Sequence, residues 1–302
     1  EIIGVVGNLS QDVVYVRNIF FPDVPITHEA KYGQRDVAAA FISDVHVGSS
    51  LFLKESFLLF IQWLNNREGV AAKIKYLFVL GDLVDGIGVY PGQEDSLNVH
   101  DVVEQYQHLA HYLDMIPKDI SIVLCPGDHD AVRLAHPQPA ISRTLARALY
   151  ELTNVIFVTN PSLVNIDSSA GFQGLDVLLY HGHGFHYFMD GVESLRKHNA
   201  LENPHYIMKF LLQKRHLAPT HASSVYIPDT RFDPLVIDRV PDIFVSGHLH
   251  KSDIGVYRNV ITINCSCWQA RTDFQIRVDN HPDPGKVVIL HLNTRIVEAI
   301  QF

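Results

Sequence analysis

The order of apolar and polar positions divides the chain into two textures. From about residue 27, continuous apolar runs alternate with stretches of helical spacing. "DVAAAFIS" reads as a buried strand, "LFLKESFLLFIQWLNN" as a helix, "KYLFVLG" as a strand, "VHDVVEQYQHLAHYLDMI" as a helix, "ISIVLCPG" as a strand and "PAISRTLARALYELT" as a helix. Strands that are apolar at successive positions are buried on both faces, so this βαβαβα order predicts an α/β core with helices over the sheet. After residue 155 the strands shorten ("NVIFV", "SLVNI", "DVLLYHG"), and a helical insertion follows over roughly 189–216. The chain then returns to strands in "DIFVSG", "SDIGVYRNVITINCSCW", "GKVVILHLN" and "RIVEAIQF". Alternation that gives way to hairpins predicts two mixed β-sheets packed as a sandwich with flanking helices. At the start, "GVVGNLS" and "DVVYVRNIFFPDVP" read as two strands with a proline-rich exit, too little to fold alone and expected to close a preceding β domain.

The polar residues that follow the strands carry the chemistry. "AAAFIS" leads into Asp44 and His46, "YLFVLG" into Asp82 and Asp85, and "SIVLCPG" into Asp128, His129 and Asp130. "VLLY" leads into His181 and His183, and "DIFVSG" into His248 and His250. Taken singly, each Asp reads as a turn or helix cap and each His as a hydrogen-bonded core residue. Five strand ends that all deliver Asp or His, mostly beside glycine, point instead to one site at the carboxyl ends of the strands. Asp and His suit Mn²⁺, Fe, Zn²⁺ or Ni²⁺, and the lack of nearby cysteine disfavours a structural zinc site. The candidates are too many for one ion and suit two that share a bridging carboxylate, a pair that clamps the oxygens of an in-line displacement at phosphorus.

Composition narrows the partners. The 302 residues, 47% hydrophobic, suffice for a large core, and no apolar run reaches membrane-spanning length. A formal charge of −9 argues against gripping nucleic acid by bulk charge. Residues 191–260 carry nine Lys/Arg against seven Asp/Glu, a mild excess that an ordinary solvated face also shows. Cys125, Cys265 and Cys267 lack metal-type pairing, and the last two are expected on one face of a strand. A reducing, cytoplasmic setting follows. The start at Glu1 without a signal-type segment suggests a piece of a longer protein.

The motifs "DVHVG", "GDLVDG", "GDHD", "YHGHG" and "SGHLH", in that order, resemble the signature of the calcineurin-like metallophosphoesterases. "GDLVDGIGVYPGQEDSL", "MKFLLQKRHLAPTHASSVYIPD" and "DNHPDPGKVVILHLNTRIVEAIQF" resemble the small subunit of archaeal D-family DNA polymerases. That resemblance implies an OB-fold whose last strands are residues 1–26, and a phosphoesterase domain over 27–302. It also implies two divalent ions, Mn²⁺ first, and a proofreading 3′→5′ exonuclease. The partners it implies are a large catalytic subunit and a mainly single-stranded DNA 3′ end. Asp44, His46 and His250 resemble the ligands of one ion, Asp82 the bridge, and Asp128, His181 and His248 the ligands of the other. His129 matches the catalytic histidine facing the scissile phosphate, with Asp130 expected to orient its ring. Asp85 is expected to orient a ring or to cap a turn, and His183 to lie in the core or behind the ligands. The insertion that carries Arg196, Lys197, Lys214 and Arg215 lines a strand-binding groove or covers a sheet edge, and the resemblance favours the groove.

Asp128 departs from this pattern, which usually has asparagine there. A third carboxylate lowers the positive charge of the site, so metals should bind more tightly and polarise a phosphodiester less. Activity is therefore expected to survive at a reduced level. Two further readings stay open: a phosphoesterase acting on small phosphoesters, and a non-catalytic scaffold. "YPGQEDSL" and the terminal "EAIQF" are candidate partner contacts, or an ordinary loop and edge strand.

Overall fold

The computed structural model describes residues 3–302; the first two residues of the 1–26 segment expected to end an OB-fold lie outside the described residues. β1 (Gly4–Ser10) and β2 (Val13–Phe20) form an antiparallel ladder by themselves. The chain continues through β3 (Ala38–Ser43), α1 (Lys54–Asn66), β4 (Ile74–Leu80), α2 (Val102–Asp114), β5 (Ser121–Cys125), α3 (Arg147–Tyr150) and β6 (Val155–Phe157). It then runs through β7 (Ser162–Ile166), β8 (Leu175–Leu179), α4 (Phe185–Gly191), α5 (Glu193–Lys197) and α6 (His205–Lys214). The last elements are β9 (Ile243–Ser246), β10 (Asp253–Tyr257), β11 (Val260–Asn264), α7 (Asp273–Arg277), β12 (Lys286–His291) and β13 (Val297–Gln301).

Among the described residues one sheet has the order β13-β12-β3-β4-β5-β6 and the other β10-β11-β9-β8-β7. β3 to β6 are parallel, as are β8, β9 and β11, and the remaining strands pair antiparallel, so both sheets are mixed. Side-chain alternation along each buried strand explains the layers. Ala39 and Phe41 of β3 and Phe78 and Leu80 of β4 face Val177, Leu179, Ile243 and Val245 of the other sheet. Ala40, Ile42, Leu77 and Val79 point the other way, against Phe57, Phe60 and Leu109 of α1 and α2. Leu178 and Phe244 meet Phe188, Met208, Leu211 and Leu212 from the helical insertion. Full burial of side chains of this size stabilises the fold by roughly 1.5–3 kcal/mol each. The two-sheet sandwich with outer helices is thus the architecture the apolar pattern predicts.

Two local expectations change. The helix expected over "PAISRTLARALYELT" shrinks to the single turn of α3. Gln138, between two prolines, bridges to Asn160 in extended form, and the Ile141 carbonyl accepts from the Tyr150 hydroxyl rather than from a helical N–H. Cys265 and Cys267 are buried but lie beyond the end of β11 rather than on a strand face. No helix among the described residues is long and apolar enough to cross a membrane.

Candidate metal centre

Every expected position falls just after a strand: Asp44 and His46 after β3, Asp82 and Asp85 after β4, Asp128 and His129 after β5, His181 and His183 after β8, His248 and His250 after β9. Both sheets contribute, so the site straddles one end of the sandwich. Asp44, His46, Asp82, His248 and His250 all have φ between 47° and 69°, a region that costs a non-glycine residue roughly 1–3 kcal/mol. Bonds between the turns hold them there: Asp44 N–H to the Gly81 carbonyl (3.0 Å), His46 N–H to the Asp82 carbonyl (2.9 Å) and His248 N–H to Asp44 Oδ2 (3.0 Å). Close approach also needs glycine. A Cβ on Gly81 would lie 2.1 Å from His181 Nδ1, and one on Gly127 2.3 Å from Asp82 N.

The hydrogen bonds decide which atoms are left to bind an ion. His46 Nδ1 donates to Asp85 Oδ1 at 2.9 Å, which turns the lone pair of Nε2 inward. His181 Nδ1 donates to the Leu80 carbonyl at 3.3 Å, and its Nε2 is buried with no hydrogen-bond partner. Asp44 Oδ2 accepts from Ser43 Oγ and from His248 N–H, and Asp44 Oδ1 is likewise buried without a partner. Asp44 Oδ1 lies 3.3 Å from His250 Nε2, 4.0 Å from His46 Nε2 and 4.0 Å from His181 Nε2. Asp82 gives Oδ1 to the His129 N–H at 2.8 Å and keeps Oδ2 3.2 Å from His181 Nε2 and 3.9 Å from His46 Nε2, so one oxygen faces both halves of the cluster. Asp44, His46 and His250 form one donor group, and Asp82, His181 and His248 another. Two buried polar atoms without hydrogen-bond partners, 4.0 Å apart, would each cost about 1–3 kcal/mol. A divalent cation would supply that partner, and the oxygen and imidazole donors suit Mn²⁺, Fe or Zn²⁺.

Asp128 joins neither group. Its Oδ2 lies 2.9 Å from His183 Nδ1 and 3.4 Å from His248 Nδ1. Burial alone would raise this carboxyl, but the His183 hydrogen bond and the charges of His181 and His248 outweigh it and hold it at about 2. Burial likewise opposes charge on Asp82, yet His181 and His129 keep it well below the usual carboxylate range.

His129 is oriented differently from the expectation. Its Nδ1 donates to the Asp85 main-chain carbonyl at 2.8 Å. Burial disfavours its charged form, but Asp82 and the Asp85 carbonyl outweigh burial and raise its pKa. Asp130 does not touch the ring: it accepts from the N–H groups of Gly127 (2.9 Å) and Leu83 (3.2 Å) and from the Tyr106 hydroxyl (3.1 Å). Burial and the neighbouring Asp82 push its carboxyl up to about 7. Asp130 therefore shapes the turn, and Asp85 does the orienting, with its side chain on His46 and its carbonyl on His129. The expectation failed because a main-chain contact leaves no trace in residue type.

Other supports had no signal in the residues. Asn160 Oδ1 accepts from His181 N–H at 3.0 Å and its Nδ2 donates to Gln138 Oε1 at 2.6 Å, tying the second half of the site to a buried amide pair. Gln93, from "YPGQEDSL", is fully buried and donates to the Asp85 carbonyl at 2.8 Å. His129 and Asp128 end a cleft of about 310 Å³ walled by Ile87, Val89, Val102 and Leu134. The basic residues of the insertion are engaged by groups other than the candidate ligands: Arg215 bonds the carbonyls of Ile237 and Asp238, Lys197 pairs with Glu193, Arg196 bonds the Asp190 carbonyl, and Lys214 lies over the Phe21 ring.

The DNA polymerase alpha/epsilon B-subunit family matches residues 39–253, which take in all five strand ends. The chain belongs to that family. Among its relatives, the DNA polymerase II small subunit of Archaeoglobus fulgidus is 42% identical over 295 residues, covering 96% of this chain and 58% of that protein. The small subunit of Methanocaldococcus jannaschii is 41% identical over 300 residues, covering 97% and 48%, and that of Halobacterium salinarum 39% identical over 308, covering 100% and 58%. The chain thus spans about half the length of these relatives.

Proposed function

We propose that this chain is the phosphoesterase part of a D-family DNA polymerase small subunit, binding two divalent ions and removing nucleotides from a DNA 3′ end. The observation that supports this best is Asp82 Oδ2, which faces both donor groups from between His181 and His46. On this reading Asp44, His46 and His250 would hold one ion, His181, His248 and Asp128 would hold the other, and Asp82 would serve both. When bound, the ions supply Lewis acidity at phosphorus and lower the pKa of water. The chain's own residues do the rest. His129, with Nδ1 committed to the Asp85 carbonyl, keeps Nε2 for the substrate, and its raised pKa suits it to steady a developing charge or protonate the leaving oxygen. The large catalytic subunit is the partner that the small-subunit relatives suggest. The isolated β1–β2 ladder, exposed on both faces, supports assigning residues 1–26 to the end of an OB-fold, with 27–302 as the phosphoesterase domain.

The pairing of Asp128 with His183 instead of a donor group favours one alternative, a scaffold that has kept the fold and lost turnover. A 3′-mismatched, 5′-labelled primer in Mn²⁺ separates the two. The nuclease gives a ladder that shortens from the 3′ end, abolished by EDTA and reduced ~10²–10⁴-fold by His129→Ala. An intact primer on protein carrying two ions overturns the nuclease in favour of the scaffold. Much faster hydrolysis of a small chromogenic phosphoester would overturn the substrate instead.

A further inference from the structure

The Asp128 carboxylate is held by groups outside the donor set. His183 Nδ1 lies 2.9 Å from Oδ2, and Gln138 Nε2 lies 3.5 Å from Oδ1. An ionised carboxylate only accepts, so His183 Nδ1–H is the donor of this bond. His183 lies two residues beyond His181 on the turn between β8 and α4. That turn is held by Phe185 N–H to the Gly182 carbonyl (2.8 Å) and Gly184 N–H to the Tyr180 hydroxyl (3.3 Å). One short, fixed turn therefore presents His181 to the centre and His183 to Asp128. Without His183, Oδ2 would have only His248 Nδ1 within 3.4 Å, and the side chain would be free to swing or to chelate through both oxygens.

We propose that His183 is a positioning residue for the second metal site: its N–H occupies one lone pair of Asp128, so the aspartate offers an ion a single, fixed oxygen. This rests on the metal-binding reading above and concerns a residue with no contact to the reacting atoms. A hydrogen-bond partner behind a ligand typically accounts for 10–100-fold in metal affinity.

The test is Mn²⁺ binding to the metal-stripped protein by calorimetry, with thermal unfolding of each variant to check the fold. Wild-type protein should bind two ions. His183→Ala should weaken one of them by ~10-fold or more and leave the other within ~2-fold. His183→Gln, whose amide can still donate, should retain most of that affinity. In an Asp128→Asn background residue 128 has a single oxygen, so no second oxygen has to be held off the ion and the effect of His183→Ala should shrink. Equal affinity in wild type and His183→Ala, or an undiminished effect in the Asp128→Asn background, overturns the proposal while the metal-binding reading stands. Failure of the wild-type chain to bind Mn²⁺ overturns both.

Discussion

The two sides of the candidate centre are built to different standards. Around Asp44 and His46 the site is closed, and His250 is 9% exposed. The Asp44 and His46 side chains are 0% and 2% exposed, and His46 is held by a carboxylate that is itself held by Gln93 and Gln269. Around His181, His248 and Asp128 the floor is as tight, but the rim is not. The His248 and Asp128 side chains are 20% and 10% exposed, and Asp128 depends on a histidine that is itself one-third exposed. A buried, carboxylate-braced half is pre-organised and resists rearrangement, whereas a rim of hydrogen-bonded histidines leaves room for substrate and solvent. The cleft beside His129 and Asp128 is lined by the turns after β4 and β5, so Asp128 is the one member of this rim that borders it.

Asp82 joins the halves, so its loss should have the largest effect. Asp82→Ala is expected to abolish binding of both ions and all hydrolysis. Retention of one tightly held ion, measured by metal analysis after gel filtration, would mean that the halves are independent. Asp85→Ala should discriminate between them. It removes the brace from His46 but leaves the main-chain carbonyl that holds His129, so the affinity of one site should fall by ~10–100-fold and that of the other little. Equal weakening of both, in a Mn²⁺ titration, would show that the bracing is shared.

The smallest effect concerns the turn beneath both halves. The Asp130 carboxyl is raised from 3.8 to about 7 by burial and by Asp82, so the folded chain holds this proton more tightly than the unfolded chain does. The stability it contributes is complete below the unfolded pKa of about 4 and is lost as pH rises through about 7. EDTA-treated protein should therefore lose stability to urea across that window, and Asp130→Asn should flatten the loss. An unchanged pH slope in the variant would place the titrating group elsewhere.

Much of this site was legible because strand ends are a local property. An apolar run that stops at glycine and an acid marks a place where a strand leaves the core, and "GDLVDG" and "GHLH" say this without any knowledge of the partner strands. The supports were not legible. Gln138 and Asn160 come together across an antiparallel bridge, and a lone buried amide looks like any surface amide in the sequence. The helix expected over residues 139–153 had the right spacing, but the Tyr150 hydroxyl and the Gln138 bridge claim backbone groups that the helix needed. Asp130 was the obvious neighbour for His129, yet the turn directs it at the N–H groups of Gly127 and Leu83.

By itself, the sequence determined the layers, the strand ends and the donor types, because burial period and residue chemistry are carried position by position. Only the tertiary structure decided which nitrogen of each histidine faces the centre, that Asp85 rather than Asp130 steadies His129, and that Asp128 is paired with His183. Those outcomes depend on hydrogen bonds between groups far apart in the chain, from 39 residues for His46 and Asp85 to 101 for His181 and Leu80. Their geometry exists only once two sheets and their turns are packed against one another.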